Sequence, residues 1–444
     1  MKTRLTGRET VFIGAMLFGL FFGAGNLIFP IYLGQQAGAH VGTAIIGLLI
    51  TGIGLPLLGV MGIGLTRSAG VFELATKVSR PYAYLFTFVL YLTLGPFFAM
   101  PRLATTAFQI GLVPFLSHSQ QPLALLAFSA AFFGLTWLLA RNPGKIMTYV
   151  GKWLTPLFLI LLGSLMLVAL IKPLGNFQVA ARGAYQSQPL LAGFTEGYNT
   201  MDALASLAFG IVVIDAIKAL GVSEPGQIAK DTIKAGIICV VLMGVLYGVL
   251  ALMGTMSLGR FAPAANGGIT LAQIANAYFG SFGNVLLALI VIIACLKTAV
   301  GLTLAFGDTL QAMVPAFSYR WLIIFACVIP AVLANIGLTQ LITYSTPILM
   351  LLYPLAIVLI GLACLSPWLG TSRWLYAMTT AWTVIPAILA GLNALPASWQ
   401  QTGWLQLCQQ LNAALPLAQL GLGWTVPALI GLILGVIGQR VTQH

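Results

Sequence analysis

Charge is what this sequence has least of. Only 6% of its 444 residues are charged and 59% are hydrophobic, whereas a soluble globular domain carries about a quarter charged residues. A water-soluble fold is thereby excluded, since it has no means of hiding so much apolar surface. Acids and histidines are scarcer still, at eight and three. An intramembrane protease or acyltransferase needs a nucleophile with its base, paired carboxylates or a cluster of metal ligands. The scattered acids supply none of these, and His40, His118 and His444 fall in outer loops and at the terminus. The chain therefore does not read as an enzyme, and no cofactor or resident metal is expected beyond a sodium site. Cys239, Cys295, Cys327, Cys364 and Cys408 show no C-x-x-C spacing and read as free thiols acting as small hydrophobes. No hydrophilic stretch is long enough for a separate domain, and no continuous polar stripe suggests a channel lining.

What the sequence does have is apolar length. Runs of about eighteen residues or more, each able to cross a 30 Å hydrocarbon core as a helix, recur from Val11 almost to the C-terminus. They predict twelve transmembrane helices near 11–34, 41–66, 81–111, 122–140, 146–171, 193–220, 234–258, 281–314, 320–336, 340–365, 374–395 and 420–437. Residues 1–22 begin basic and turn apolar, as a secretory signal does. The run continues through Pro30 to Leu33 without an A-x-A-like cleavage site, so it reads as a retained first helix. The expectation is an all-α polytopic membrane protein forming one membrane domain.

A net charge of +12 would suggest nucleic acid in a soluble protein, so the placement of the charges decides. With the N-terminus inside, fifteen of the 20 lysines and arginines are cytoplasmic, among them Lys2, Arg4, Arg8, Arg67, Lys145, Lys218 and Arg440. Lys172, Arg182 and Arg260 fall outside, and Arg102 and Lys297 lie within spans. This is the positive-inside bias. Basicity therefore reports topology, no nucleic-acid partner is expected, and an even number of helices places both termini in the cytoplasm. The longest loops, 173–192, 260–280 and 396–419, are then external. Ile269 to Tyr278 predicts a short helix lying across the outer face, and Trp399 and Trp404 suit an interfacial segment.

Most of the 49 glycines serve close packing, because lipid supplies no hydrophobic drive for helix association. Two stretches differ by combining small with polar residues at mid-span. In the first helix, Phe21-Phe22-Gly23-Ala24-Gly25-Asn26-Leu27-Ile28-Phe29-Pro30 holds two glycines beside an asparagine, which weakens a helix by about 2 kcal/mol relative to alanine. The sixth helix carries Glu196-Gly197-Tyr198-Asn199-Thr200-Met201-Asp202, followed by Ala203 to Gly210. Backbone freed by a break cannot face lipid, so each segment must line an enclosed cavity. Five helices separate the two positions, and an odd number per repeat inverts the second copy, a known transporter architecture. Opened half-helices offer N–H groups to a carboxylate and carbonyls to an ammonium group or metal cation. Both charges of an amino acid can be met this way; ordinary packing glycines are the alternative.

At these residues the chain resembles the bacterial branched-chain amino acid:cation symporters of the amino acid-polyamine-organocation superfamily. The resemblance runs nearly end to end, through Gly23 to Pro30, Gly95-Pro96-Phe97-Phe98-Ala99-Met100-Pro101-Arg102, Glu196 to Ala205, and Ala294-Cys295-Leu296. It implies a LeuT-like five-plus-five inverted repeat, 1–171 and 172–366, with two further helices in 367–444. It also implies a multi-pass protein of the bacterial inner membrane that imports leucine, isoleucine and valine. By the same resemblance, opened backbone at Gly23, Ala24, Gly25 and Asn26 and at Ala203, Ala205 and Ser206 would hold the substrate's charged ends. Gly95, Phe97, Phe209 and Gly210 would supply apolar wall. An uncharged wall suits a branched aliphatic side chain, whose burial contributes roughly 2 kcal/mol.

Lys297 is the most informative single residue, since a lysine near the centre of a span costs roughly 2.5 to 3.5 kcal/mol on insertion scales. In sodium-coupled relatives the equivalent place offers a hydroxyl, so the lysine departs from the pattern. An ammonium group there, hydrogen-bonded to carbonyls near Gly19, Phe22 and Ala294 with Thr298 beside it, would replace the sodium ion. Coupling would then be to protons, or absent, because desolvation favours the neutral form of an amine; sodium coupling and a structural or snorkelling lysine remain the alternatives. Arg102 is expected to form a structural or gating pair with Glu196 or Asp202, direct binding of the substrate carboxylate being the other reading. Asp215 and Lys218, at i and i+3, predict an ordinary surface pair.

Overall fold

A computed structural model describes residues 4–142, 147–396, 399, 403–418 and 421–442; Lys2, Lys145 and His444 lie outside these. The regular elements among the described residues are all helices, with no strand. Ten helical stretches are long and apolar enough to cross a membrane, or eleven with one bent pair counted as a span. The difference from twelve has a local cause. Helix α1, Gly7–Phe21, is only 15 residues long because the first span breaks, and its continuation α2, Ala24–Ala37, runs through a tight turn into α3, Val41–Leu49, and α4, Leu55–Leu65.

Local chemistry explains the first break. Thr6 and Glu9 form a reciprocal capping box at the start of α1. Phe22, with ψ 86°, leaves the helix, and Gly23 is extended at φ −106° and ψ −157°. Asn26 then restarts it: its Oδ1 accepts the Gly23 N–H at 2.9 Å, satisfying a donor that no carbonyl reaches.

The next elements are α5, Val71–Thr76, and α6, Arg80–Leu92. The third span is interrupted where Gly95 leaves helical geometry at ψ −118° before Pro96, a residue without an N–H to continue the ladder. It resumes as α7, Ala99–Gly111, followed by α8, Gln121–Ala140, and α9, Thr155–Ile171. The second broken pair is α10, Pro189–Glu196, and α11, Asp202–Ala219, bent by 43°. Residues 197–200 form a 3-10 turn and Met201 adopts φ 63°, a left-handed conformation that is uncommon outside glycine. The chain continues through α12, Pro225–Ser257; α13, Gly267–Phe279; α14, Ser281–Met313; α15, Tyr319–Leu333; and α16, Leu338–Leu369. Helices α17, Arg373–Asn393, α18, Gly403–Ala413, and α19, Thr425–Thr442, complete it. Helix α13 matches the short outer helix expected from sequence, and Trp399 and Trp404 are exposed. Helix α12 starts nine residues before the expected 234, because Pro225 sits in its first turn, where a missing N–H costs nothing.

The two broken pairs are enclosed by α7, α12, α14 and α16, while α8, α9 and α19 present leucine and isoleucine outward, Leu126, Ile160 and Ile433 among them. Helices α2 and α12 meet backbone to backbone. A Cβ on Gly34 would lie 2.0 Å from the Ala251 carbonyl oxygen, and one on Gly254 would lie 2.1 Å from that of Ile31. Both atoms belong to rigid helix, so Gly254→Ala is expected to destabilise the protein by about 1–3 kcal/mol, measured as a lowered unfolding midpoint in detergent; an unchanged midpoint would show that the helices can part freely. Beside this contact Gln35 is fully buried and bonded at both its amide nitrogen and its amide oxygen. It donates to Ser257 Oγ at 2.9 Å and accepts from Thr270 Oγ1 at 2.9 Å and Ala264 N at 3.1 Å. On the other face, the Leu5 N–H donates to Asp231 Oδ2 at 3.0 Å, docking the N-terminal segment on α12. Asp215 and Lys218 form the expected surface pair at 3.8 Å, and exposure holds its worth to about 0–1 kcal/mol.

Candidate functional site

The two breaks meet around a cavity of about 40 Å³. Gly23, Ala24, Gly25 and Asn26 line one side and Thr200, Met201, Asp202, Ala205 and Phe209 the other. Leu20, Phe21, Leu94, Ala99, Leu103 and Leu302 complete an apolar wall. A cavity of about 150 Å³ takes a benzene ring, so this space is smaller than a branched side chain.

Two charges stand at the edge of this wall. Asp202 opens α11, is 2% exposed, and its Oδ2 accepts from Asn26 Nδ2 at 2.6 Å and from the Tyr247 hydroxyl at 2.8 Å. The Asn26 amide also contacts that hydroxyl. One carboxylate thereby joins both breaks to the middle of α12. Arg102 on α7 is 9% exposed. Its guanidinium donates to the Asn199 carbonyl at 2.7 Å, lies 5.0 Å from the centre of the Phe29 ring, and abuts Gly25, where a Cβ would stand 3.0 Å from Nη2. Among the described residues no ion pair joins Arg102 to Glu196 or Asp202. The expected pair is replaced by a charge-assisted bond to backbone that the break has freed, together with a cation–π contact.

Lys297, on α14, is completely buried, and among the described residues its Nζ has no hydrogen-bond partner. The expected carbonyls of Gly19, Phe22 and Ala294 do not bond it. Nζ instead faces two rings, 3.9 Å from the centre of Phe158 and 5.4 Å from that of Phe18. Gly19 is filled from the other side, with Thr155 Oγ1 2.2 Å from where its Cβ would be, and that hydroxyl is also unpartnered. Thr298 donates to the Ala294 carbonyl at 3.4 Å and lines the cavity.

The profile of the family described as branched-chain amino acid transport protein matches residues 6–442. The chain belongs to this family. A branched-chain amino acid permease, BrnQ of Lactobacillus delbrueckii subsp. lactis, is 46% identical over 97% of this chain and 96% of its own length. A second, BraB of Bacillus subtilis, is 41% identical over 98% and 97%. These relatives are named permeases, which sets aside the enzyme alternative. The fold is LeuT-like. MhsT in complex with L-phenylalanine aligns with TM-score 0.58 at 15% identity, covering 98% of this chain and 100% of that one. Mhp1, a nucleobase-cation-symport-1 family transporter, aligns with TM-score 0.61 at 15% identity, covering 97% and 92%. This branched-chain amino acid transport protein is thus a multi-pass bacterial membrane protein.

Within the family fold, the first-break residues, Ala205 and Phe209 line the cavity, and so does Asp202, which the sequence suggests only for a structural or gating pair with Arg102. Gly95, Phe97, Ala203, Ser206 and Gly210 do not line it. Phe97 is 37% exposed, because the turn at Gly95 and Pro96 points it away from the centre. Ala203 to Ser206 are not opened backbone but the first turn of α11; the opening lies just before them, at Tyr198 to Met201. Sequence reasoning missed Tyr247, which sits inside a long apolar helix and carries no local sign of its distant partners.

Proposed function

We propose that this protein imports leucine, isoleucine and valine by alternating access, with proton coupling through Lys297. The observation that carries the reading is a leucine- and phenylalanine-walled cavity at two helix breaks, edged by one guanidinium and one carboxylate. The first N–H groups of α2 and α11, with Arg102 beside them, suit the substrate carboxylate. Carbonyls at the end of α1 and the Asp202 carboxylate suit its ammonium group. Gly23 to Asn26, Ala205 and Phe209 are the contacts proposed, and the contracted cavity widens when a side chain enters. We read the chain as twelve spans with both termini cytoplasmic, in repeats 1–171 and 172–366 followed by 367–444. Lys297 replaces a bound sodium ion in this reading, a role that its burial without a partner supports. Sodium coupling is the second reading, favoured by the Thr298 hydroxyl beside Gly23, where a Cβ would lie 3.0 Å from Oγ1.

Purified protein in liposomes, given labelled leucine and one imposed gradient at a time, tests the proposal. Accumulation under an inward proton gradient, competed by isoleucine and valine, is the expected result. Accumulation under a sodium gradient alone selects the second reading, and no accumulation under either sinks both. The wall makes its own prediction. Phe209 is fully buried against Phe21, with ring centres 5.5 Å apart. Phe209→Ala is expected to raise the KM for leucine about tenfold, the loss of roughly 1.4 kcal/mol of apolar contact, while admitting phenylalanine as a competitor. An unchanged ranking of inhibitors would place Phe209 outside the substrate's reach.

A further inference from the structure

A groove of about 750 Å³ runs between α8 and α15, and none of its lining residues belongs to either broken span. Ala130 and Gly134 on α8 and Val328 and Val332 on α15 line it and are exposed, so among the described residues no segment of the chain covers it. On α8 the lining extends from Leu126 to Trp137. That is about 17 Å of helix, close to half of a 30 Å hydrocarbon core. The groove is as long as one leaflet.

Its two ends differ in charge. At one end Arg141 lies one turn beyond Trp137 on α8, and Arg320 lies one turn before Ile324 on α15; residues four apart share a helix face. The Arg141 guanidinium sits 5.0 Å from the centre of the Trp137 ring, at the mouth of the groove. The Tyr319 hydroxyl donates to the Ala140 carbonyl at 3.0 Å, so a bond one residue from each arginine joins the two helix ends. Both arginines are exposed, and among the described residues neither pairs with an acid. The opposite end is neutral, with Leu126 and Asn335.

We propose that the groove binds an anionic phospholipid, with an acyl chain lying between α8 and α15 and the phosphate at Arg141 and Arg320. A guanidinium meets phosphate through paired, charge-assisted hydrogen bonds, and basic residues beside a membrane span attract anionic headgroups. Phosphatidylcholine offers the same chains but adds a cationic choline that two arginines repel, so the charge selects where the apolar wall does not. In the proposed topology the arginines lie on the cytoplasmic side. A chain in the groove fills the gap between α8 and α15 and ties the two helices together.

Native mass spectrometry of the full chain in detergent, titrated with dioleoyl phosphatidylglycerol or dioleoyl phosphatidylcholine, counts bound lipids directly. Phosphatidylglycerol is expected to bind about tenfold tighter. Arg141→Gln and Arg320→Gln are each expected to weaken its binding about fivefold, the effect of one basic residue at a membrane surface. Both change exposed side chains, so neither endangers the fold. A Cβ at Gly134 would meet nothing within 4 Å, so Gly134→Leu enters the groove without a clash and is expected to abolish the preference for phosphatidylglycerol. That lipid is also expected to raise the unfolding midpoint of the wild type and not that of Gly134→Leu. Glycerol phosphate, a headgroup without chains, is expected not to compete. Equal binding of the two lipids, or binding unchanged in Gly134→Leu, overturns the site and leaves ordinary surrounding lipid. Competition by glycerol phosphate overturns it in favour of a surface anion patch, and lipid-free dimers lost in Gly134→Leu overturn it in favour of a second copy. No substrate is present, so the result is independent of the transport reading.

Discussion

Lys297→Met is expected to abolish proton-driven accumulation of leucine while leaving leucine exchange across the membrane intact. One pH unit is worth about 1.36 kcal/mol per proton, a tenfold concentration ratio. With one proton moved per leucine, wild-type liposomes should therefore reach about tenfold accumulation and variant liposomes a ratio of one. Exchange persists because the cavity wall does not include Lys297. The same substitution separates a coupling role from a structural one. Nζ is buried without a hydrogen bond among the described residues and faces the rings of Phe18 and Phe158, and leaving a buried polar group unpaired costs about 1–3 kcal/mol, more for a charged one. A thioether of similar length removes that cost, so the unfolding midpoint should rise. Should the midpoint fall, or should pH-driven accumulation survive, Lys297 is a packing residue and the coupling proposal is lost.

The second large effect is expected at Asp202. Asp202→Ala removes the acceptor that Asn26 and Tyr247 share and strands the buried Tyr247 hydroxyl donor, at about 1–3 kcal/mol. Leucine uptake should fall at least a hundredfold, since both breaks lose their common anchor. Asp202→Asn keeps the shape and should retain most of the stability but not the uptake, because the negative charge facing the substrate's ammonium group is gone. Tyr247→Phe should cost about 1 kcal/mol of stability. A double-mutant cycle between positions 26 and 247 should show coupling of about 0.5–3 kcal/mol. Full uptake by Asp202→Asn would mean that the carboxylate organises the breaks without contacting substrate.

The contrast between the two breaks shows what local sequence can reveal. Gly23 to Asn26 weakens a helix and then restarts it with an asparagine, all within four residues, so the first break is legible where it occurs. The second has no comparable signature. Tyr198, Asn199, Thr200 and Met201 are unremarkable as residues, and the turn they form is held from outside by the Tyr353 hydroxyl and the Arg102 guanidinium. Sequence placed the opening a few residues late because those contacts come from helices far along the chain. Lys297 is a similar case. Its cost at mid-span is visible in the sequence, but the rings of Phe18 and Phe158 that face it are set by how α1 and α9 pack. Gly95 and Phe97 stand out only through the family resemblance, as apolar wall; the direction in which the turn at Gly95 and Pro96 sends Phe97 depends on the backbone path.

Gln35 has a mechanical implication. Its amide is shared among α2, α12, the segment before α13 and α13 itself, so α2 cannot tilt without carrying α13 along. Those parts form one rigid lever, and the flexing of a transport cycle must concentrate at its two ends, Gly23 and Gly38.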